Sequence, residues 1–268
     1  MKIGKNKFDT ERILTAMKQN YSLQLYSVRD ITSDDFKGAL EKVAKIGYAY
    51  VEPAGFFGNS AEDVKAMLAE YGLSISGTHS DINELRPDRI METLAYHKTI
   101  ANPCYIIPYA DLSTLDKIEA FCNIVNYAQP ILASEGIKLA FHNHSGEFQL
   151  MPWGSTIHTE LEKRTNMFFE IDTFWAFNAG IDAVATMERL KNRLCAVHLK
   201  DGFKADPAND IKARGMSLGQ GEAPVADIRR KAIALGVTMA VESEGLNPDG
   251  ISEVARCMDY LRQLDSED

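Results

Sequence analysis

One junction recurs along this chain. An amphipathic run ends in glycine, a short β-branched run follows, and that run ends in an ionisable side chain. It reads LEKVAKIGYAYVE up to Glu52, MLAEYGLSISGTH up to His79, LASEGIKLAFHNH up to His142 and His144, and IALGVTMAVESE up to Glu242 and Glu244. Gly47, Gly72, Gly136 and Gly236 suit the left-handed residue that closes a helix before a strand. Helix and strand in alternation imply parallel strands joined by right-handed crossovers. Strand-like runs fall near 21–26, 48–52, 73–78, 104–108, 137–142, 167–171, 194–199 and 237–242. Amphipathic stretches lie at 33–46, 60–71, 87–101, 114–135, 155–164, 181–191, 223–235 and 249–263. Eight such units match an α/β fold of one closed (β/α)8 barrel, which takes about 250 residues. A doubly wound open sheet is the competitor, but it usually carries a glycine-rich loop after its first strand. Here that strand runs into Leu25-Tyr26-Ser27-Val28-Arg29-Asp30, without glycine. No linker-like segment divides the chain, so residues 1–268 read as one domain: a short N-terminal helical extension over 1–20 and the barrel over 21–264.

Composition narrows the function classes. With 45% hydrophobic and 25% charged residues the chain is globular. A formal charge of −9 opposes nucleic-acid binding, which favours basic surfaces. The longest apolar stretches, such as Ile137–Phe141, are too short for a membrane span. The basic N-terminus has no apolar core of the kind a secretory signal needs. Cys104, Cys122, Cys195 and Cys257 show neither zinc-knuckle nor CxxC spacing. The expected compartment is the cytoplasm, with no membrane or nucleic-acid partner; a homo-oligomer is compatible with the sequence but not written in it.

Side chains alternate along a strand, so parity separates the axis-facing row from the helix-facing row. Inward sets are Tyr48, Tyr50 and Glu52; Lys138, Ala140, His142 and His144; Phe168, Glu170 and Asp172; Ala196, His198 and Lys200; and Thr238, Ala240, Glu242 and Glu244. Cys195, Val197 and Leu199 fall on the helix-facing side. The last inward positions of the strands themselves are Glu52, His142, Asp172, His198 and Glu242, at the ends where such barrels keep their chemistry. A lone strand-end carboxylate is usually a helix cap, and a lone inward histidine is usually a hydrogen-bonded core residue. Two imidazoles and two carboxylates of matching parity on consecutive strands instead read as a divalent-metal site of His142, Asp172, His198 and Glu242. Mixed N/O ligation suits Mn²⁺ first, then Co²⁺, Fe²⁺ or Zn²⁺, with Mg²⁺ less suited. His79 has helix-facing parity and reaches the cleft only if its strand end is kinked. With it, Trp175 and Glu244 are candidate substrate contacts, Trp175 as a sugar-stacking wall or equally a core plug. The glycines of LGQGEAP (218–224) offer backbone N–H groups to a phosphate or a sugar hydroxyl, or simply make a turn.

The stretches LQLYSVRD (23–30), GYAYVEPAGFFG (47–58), KLAFHNHSGEF (138–148), EIDTFWAFNAG (170–180), AVHLKDG (196–202), LGQGEAP and AVESEG (240–245) lie in order across nearly the whole chain. Together they resemble the xylose isomerase-like TIM barrels of the sugar phosphate isomerase/epimerase family. The resemblance implies one divalent metal held by four residues at the ends of strands five to eight. By position these are His142, Asp172, His198 and Glu242. Ketose epimerases of this superfamily carry a glutamate where this chain has His142, and use two glutamates as their acid/base pair. Only Glu242 of that pair is present here, which leaves the second proton relay to His144, Glu52, Glu244 or Lys200.

The activity expected from the resemblance is isomerisation or epimerisation of a sugar, sugar phosphate or keto-sugar. It would proceed by proton abstraction next to a carbonyl through a metal-chelated cis-enediolate. The catalytic candidates are Glu242, His144, Lys200 and Glu52. The rival on the same scaffold is a metal-dependent lyase or dehydratase that expels a leaving group from a 3-keto-glycoside or inosose. A non-catalytic sugar-binding barrel is a further alternative. An abasic-site endonuclease would need a multi-zinc ligand set larger than this one.

Overall fold

The computed structural model describes residues 19–267. The expected extension over 1–20 lies outside them except for its last two residues. The strands are β1 (Ser22–Gln24), β2 (Tyr50–Glu52), β3 (Ser74–Ile75), β4 (Thr78–His79), β5 (Cys104–Ile107), β6 (Lys138–His142), β7 (Phe168–Asp172), β8 (Leu194–Leu199), β9 (Asp201–Phe203), β10 (Arg214–Met216) and β11 (Thr238–Val241). Nine of them form one sheet in the order β3-β2-β1-β11-β8-β7-β6-β5-β4, and all of its pairings are parallel. The two ends of that order, β3 and β4, are halves of one chain segment. The sheet therefore closes on itself at the third of eight barrel positions.

The recurring glycines perform the turn expected of them. Helices Phe36–Ile46, Ala61–Tyr71 and Val225–Leu235 end at Gly47 (φ 111), Gly72 (φ 68) and Gly236 (φ 64), a region in which side-chain-bearing residues are strained. Helix starts are fixed by side-chain caps: Asp35, Ser60, Thr114, Thr156 and Asp182 each accept a backbone N–H from the first turn. The apolar rows of the strands, including Leu23, Val51, Leu139, Phe141, Ile171, Val197 and Val241, are buried against the surrounding helices. Inside the barrel, Cys104, Ile106, Ala140, Cys195 and Ala196 form a small apolar floor with Phe168 packed on it. Polar inward side chains begin above that floor.

Three local features depart from simple alternation. The third strand breaks at Ser76–Gly77, so Ser76 bonds to inward Ser22 and Thr78 bonds to Asn102 on the helix side. The break shifts parity by one residue and turns His79 toward the axis. In β8, Phe169 pairs with Leu194 while Glu170 pairs with Ala196, leaving Cys195 bulged. Its thiol points to the floor, 3.5 Å from that of Cys104, rather than to the helices. Finally, an antiparallel hairpin, β9 with β10, and a short helix, Thr173–Asn178, stand in stretches that the eight-unit pattern leaves unassigned.

Candidate metal centre and active-site cleft

Parallel register sets the level of each inward group. Asp172 on β7 lies beside His198 on β8, His198 beside Ala240 on β11, and His142 on β6 beside Glu170 on β7. Glu242 follows the last residue of β11. His142, Asp172, His198 and Glu242 are all buried, and one donor atom from each lies within 4.8 Å of the others. Asp172 spends Oδ1 on the N-cap of the Thr173–Asn178 helix, accepting from Trp175 N at 2.8 Å. Its other oxygen, Oδ2, is buried without a hydrogen-bond partner and faces His142 Nε2 at 4.0 Å and His198 Nδ1 at 3.9 Å. Glu242 Oε2 lies 3.1 Å from His198 Nδ1.

Proton accounting decides what this convergence suits. A neutral imidazole carries one N–H. His198 has Glu52 Oε1 at 2.9 Å from Nε2 and Glu242 Oε2 at 3.1 Å from Nδ1, so it faces a carboxylate at each nitrogen. Burial alone would lower its pKa, but the charges of Glu170 and Glu52 hold it well above the usual range. A proton and a divalent cation are therefore alternatives at Nδ1. The charge balance agrees: Glu52, Glu170, Asp172 and Glu242 are at most 5% exposed. Among the described residues of this cluster, Lys200 is the one buried ammonium that answers them. Burying carboxylates without compensation is costly. Two imidazole nitrogens and two carboxylate oxygens, one of them the Asp172 Oδ2 that lacks a hydrogen bond, thus fit a first-row divalent cation.

The neighbouring groups are strongly polarised. Burial pushes Asp172 up to about 7. Burial also opposes ionisation of Glu242, but Lys200 and His198 hold it well below the carboxylate range. Glu52 is raised by burial and by the adjacent Glu170. His142 and His144 are both lowered, chiefly by burial. Lys200 Nζ lies 2.9 Å from Glu244, 3.0 Å from Glu242 and 3.5 Å from Asp172, and these carboxylates more than offset the effect of burial and raise its pKa.

Above the cluster opens a cleft of about 960 Å³, and its lining includes His79, His142, His144, Glu242 and Glu244. The cleft runs outward past Asp81, Tyr109 and Lys117. Glu52 and Lys200, both expected as proton relays, are fully buried and do not line it. Glu52 is held beneath the cluster by Gln24 Nε2 at 2.7 Å. Trp175 packs behind the rim, with the Lys200 ammonium 4.9 Å from its ring centre and His144 at 6.1 Å. Glu170 is the group that site selection from the sequence passed over. Its parity was inward, but it sits one rung below Asp172, and only the rim was read as functional. Its Oε2 meets His79 Nε2 at 2.9 Å and His142 Nδ1 at 3.2 Å.

The LGQGEAP segment is not a free anion receptor. Its backbone N–H groups at Gly219, Gly221 and Ala223 donate to the Asp201 carboxylate at 2.9, 2.9 and 3.0 Å, as does Gly202 at 2.8 Å. An internal carboxylate fills the cradle that a phosphate would need, which leaves the turn, the other of the two readings.

Residues 40–264 match the family model of the xylose isomerase-like TIM barrel. No curated protein matches the chain. Among solved structures, a sugar phosphate isomerase/epimerase from Parabacteroides distasonis ATCC 8503 is similar at 24% identity, with a TM-score of 0.75 over 92% of this chain and 94% of that one. The probable 3-DHS dehydratase AsbF from Bacillus anthracis is similar at 14% identity, TM-score 0.68, over 91% and 98%. D-allulose 3-epimerase from Methylomonas sp. is similar at 12% identity, TM-score 0.64, over 91% and 97%. At these identities the likeness shows the fold alone. The family match covers most of the chain and rests on the same barrel whose strand ends hold the cluster: this protein belongs to the xylose isomerase-like TIM barrel family.

Proposed function

We propose that this protein is a divalent-metal-dependent isomerase or epimerase of a sugar or keto-sugar, removing a proton from the carbon next to a carbonyl. The observation that carries this reading is the convergence of His142 Nε2, Asp172 Oδ2, His198 Nδ1 and Glu242 at the base of the cleft. When bound there, a divalent cation supplies Lewis-acid polarisation of a carbonyl and its neighbouring hydroxyl. The chain's own groups do the rest. Glu242, held ionised beside Lys200 and His198, completes the donor set. Glu244 and His144 line the cleft next to it and are assigned the two proton transfers, a role typically worth 10²–10⁴-fold. Lys200 holds Glu242 and Glu244 in place from behind. Glu52 belongs to the support of the histidines, and His79 contributes both to that support and to the cleft wall. A small sugar is the partner this cleft suits, and Mn²⁺ the first cation to try, with Co²⁺, Fe²⁺, Zn²⁺ and Mg²⁺ behind it.

The test is solvent-deuterium incorporation at the carbon next to the carbonyl, across a panel of ketoses and keto-sugars with added Mn²⁺ or Co²⁺. Exchange that disappears in Glu244→Gln or His144→Gln supports the reading; no exchange with any substrate at full metal loading overturns it. A second reading, elimination of a leaving group, is favoured by the asymmetric pair of one carboxylate and one imidazole in place of two glutamates. A neutral imidazole is suited to protonating a departing oxygen. That reading requires a released second product in the same assay.

A further inference from the structure

Resting on that functional reading, we propose that Glu170 is the positioning residue of the centre. It fixes which nitrogen each ligand histidine turns to the metal, with Glu52 and His79 completing its ring. Glu170 Oε2 lies 3.2 Å from His142 Nδ1, 2.9 Å from His79 Nε2 and 3.1 Å from His198 Nε2. Glu52 Oε1 receives His198 Nε2 at 2.9 Å and Gln24 Nε2 at 2.7 Å. A carboxylate accepts and cannot donate, so Glu170 places a proton on His142 Nδ1, and Glu170 with Glu52 places one on His198 Nε2. His198 Nδ1 also faces Glu242 Oε2, where a proton and the cation are alternatives; with the cation bound, the lone pairs left to it are those of His142 Nε2 and His198 Nδ1, beside Asp172 Oδ2. The opposite tautomers would set lone pair against carboxylate beneath the metal and turn both N–H groups toward the cation. A carboxylate behind a ligand imidazole also makes it a stronger donor.

The break in the third strand has its purpose in this ring. Turning at Ser76–Gly77 brings the His79 imidazole flat against His198, with ring centres 5.3 Å apart and planes 16° apart, and edge-on to His142 at 4.8 Å. Gly77 is the residue that fits there, because a Cβ would stand 2.7 Å from Ile106 Cδ1 and 3.1 Å from Glu52 Oε2. His79, His142, Glu170 and His198 also form a donor quartet of their own. A cation seated among those four would draw both shared histidines through their lower nitrogens and meet one carboxylate instead of two. The two carboxylates of the other quartet, Asp172 and Glu242, therefore favour the upper seat, with Glu170 as support.

The experiment measures Mn²⁺ and Zn²⁺ affinity of the full chain by competition with a chromophoric chelator. It compares wild type with Glu170→Gln, Glu170→Asp, His79→Gln and Asp172→Asn, and follows thermal unfolding of each metal-free protein. Glu170→Gln is expected to weaken binding 10–100-fold. Burial opposes the charge of Glu170, but the histidines around it hold it ionised, so the metal-free melting temperature is expected to fall as well and is compared with that of Glu170→Asp. Glu170→Asp, which keeps the charge, recovers part of the affinity. In the zinc-loaded wild type, ¹⁵N imidazole spectra show the proton on Nδ1 of His142 and on Nε2 of His198. Affinity within twofold of wild type in Glu170→Gln overturns the proposal. So does retention of the metal in Asp172→Asn together with its loss in His79→Gln, which seats the cation in the lower ring. If wild type binds neither cation, the functional reading itself falls and takes this assignment with it; a Glu170→Gln protein that binds normally overturns only the assignment.

Discussion

Lys200 shows how much of the site's energetics rests on single side chains. Fully buried, its ammonium answers Asp172, Glu242 and Glu244 together. Removing one partner of a buried charge cluster commonly costs about 3–5 kcal/mol. Lys200→Met is therefore expected to destabilise the metal-free protein by that order, with part of the loss recovered when Mn²⁺ is added; denaturant unfolding with and without metal measures both. His97 tests a titration away from the centre. It is buried against Thr78, Asn102 and Tyr105, and burial lowers its pKa to about 4. The unfolded chain binds this proton more readily, so the stability is present above the unfolded value near 6.5 and is lost as pH falls toward 4. Between pH 7.5 and pH 5 the loss is roughly 2 kcal/mol, and His97→Gln removes that part of the slope in unfolding free energy against pH. Legibility at this scale followed position. The rim residues His142, Asp172, His198 and Glu242 stood out because each is the inward position at the end of its strand run. Glu170 carried the same parity, but its contacts come from β4, β6 and β8, which one strand's sequence does not show.

Elements were legible where local chemistry sets them. The helix starting at Ala61 follows Ser60 as its cap and ends at Gly72, and both signals are local to the chain. Gly236→Ala isolates the end signal: φ is 64 and nothing lies near the added Cβ. The expected cost is about 1 kcal/mol of strain by unfolding, with metal affinity unchanged. The break at Ser76–Gly77 and the bulge at Cys195 were not legible, because both answer tertiary demands. One seats His79 among two carboxylates and two imidazoles; the other brings two thiols together on the barrel floor. The prediction for this scale concerns Gly77→Ala, whose Cβ collides with Ile106 and crowds Glu52. Overpacking of this kind costs about 1–3 kcal/mol. Because it also displaces the ring beneath the ligands, Gly77→Ala is expected to lower both melting temperature and metal affinity, a pairing that Gly236→Ala does not produce. The β9–β10 hairpin lay beyond reach as well, since its antiparallel pairing interrupts a pattern otherwise parallel throughout.

Across the whole molecule, closure of the sheet at β3 and β4 makes every inward strand end face one cleft. Four buried carboxylates from three places, Glu52 on β2, Glu170 and Asp172 on β7, and Glu242 after β11, thereby become neighbours. Among the described residues, no helix is long and apolar enough to cross a membrane. The barrel itself is shared with epimerases and a dehydratase and so does not name a reaction; the reading rests on the donor set. The direct test is elemental analysis of bound divalent metal after incubation with Mn²⁺ and desalting, on wild type and on Asp172→Ala. This account predicts about one metal per chain in wild type, since the two donor quartets share His142 and His198, and none retained by the variant. A wild-type protein that holds no metal after reconstitution, or a variant that holds as much as wild type, would contradict it.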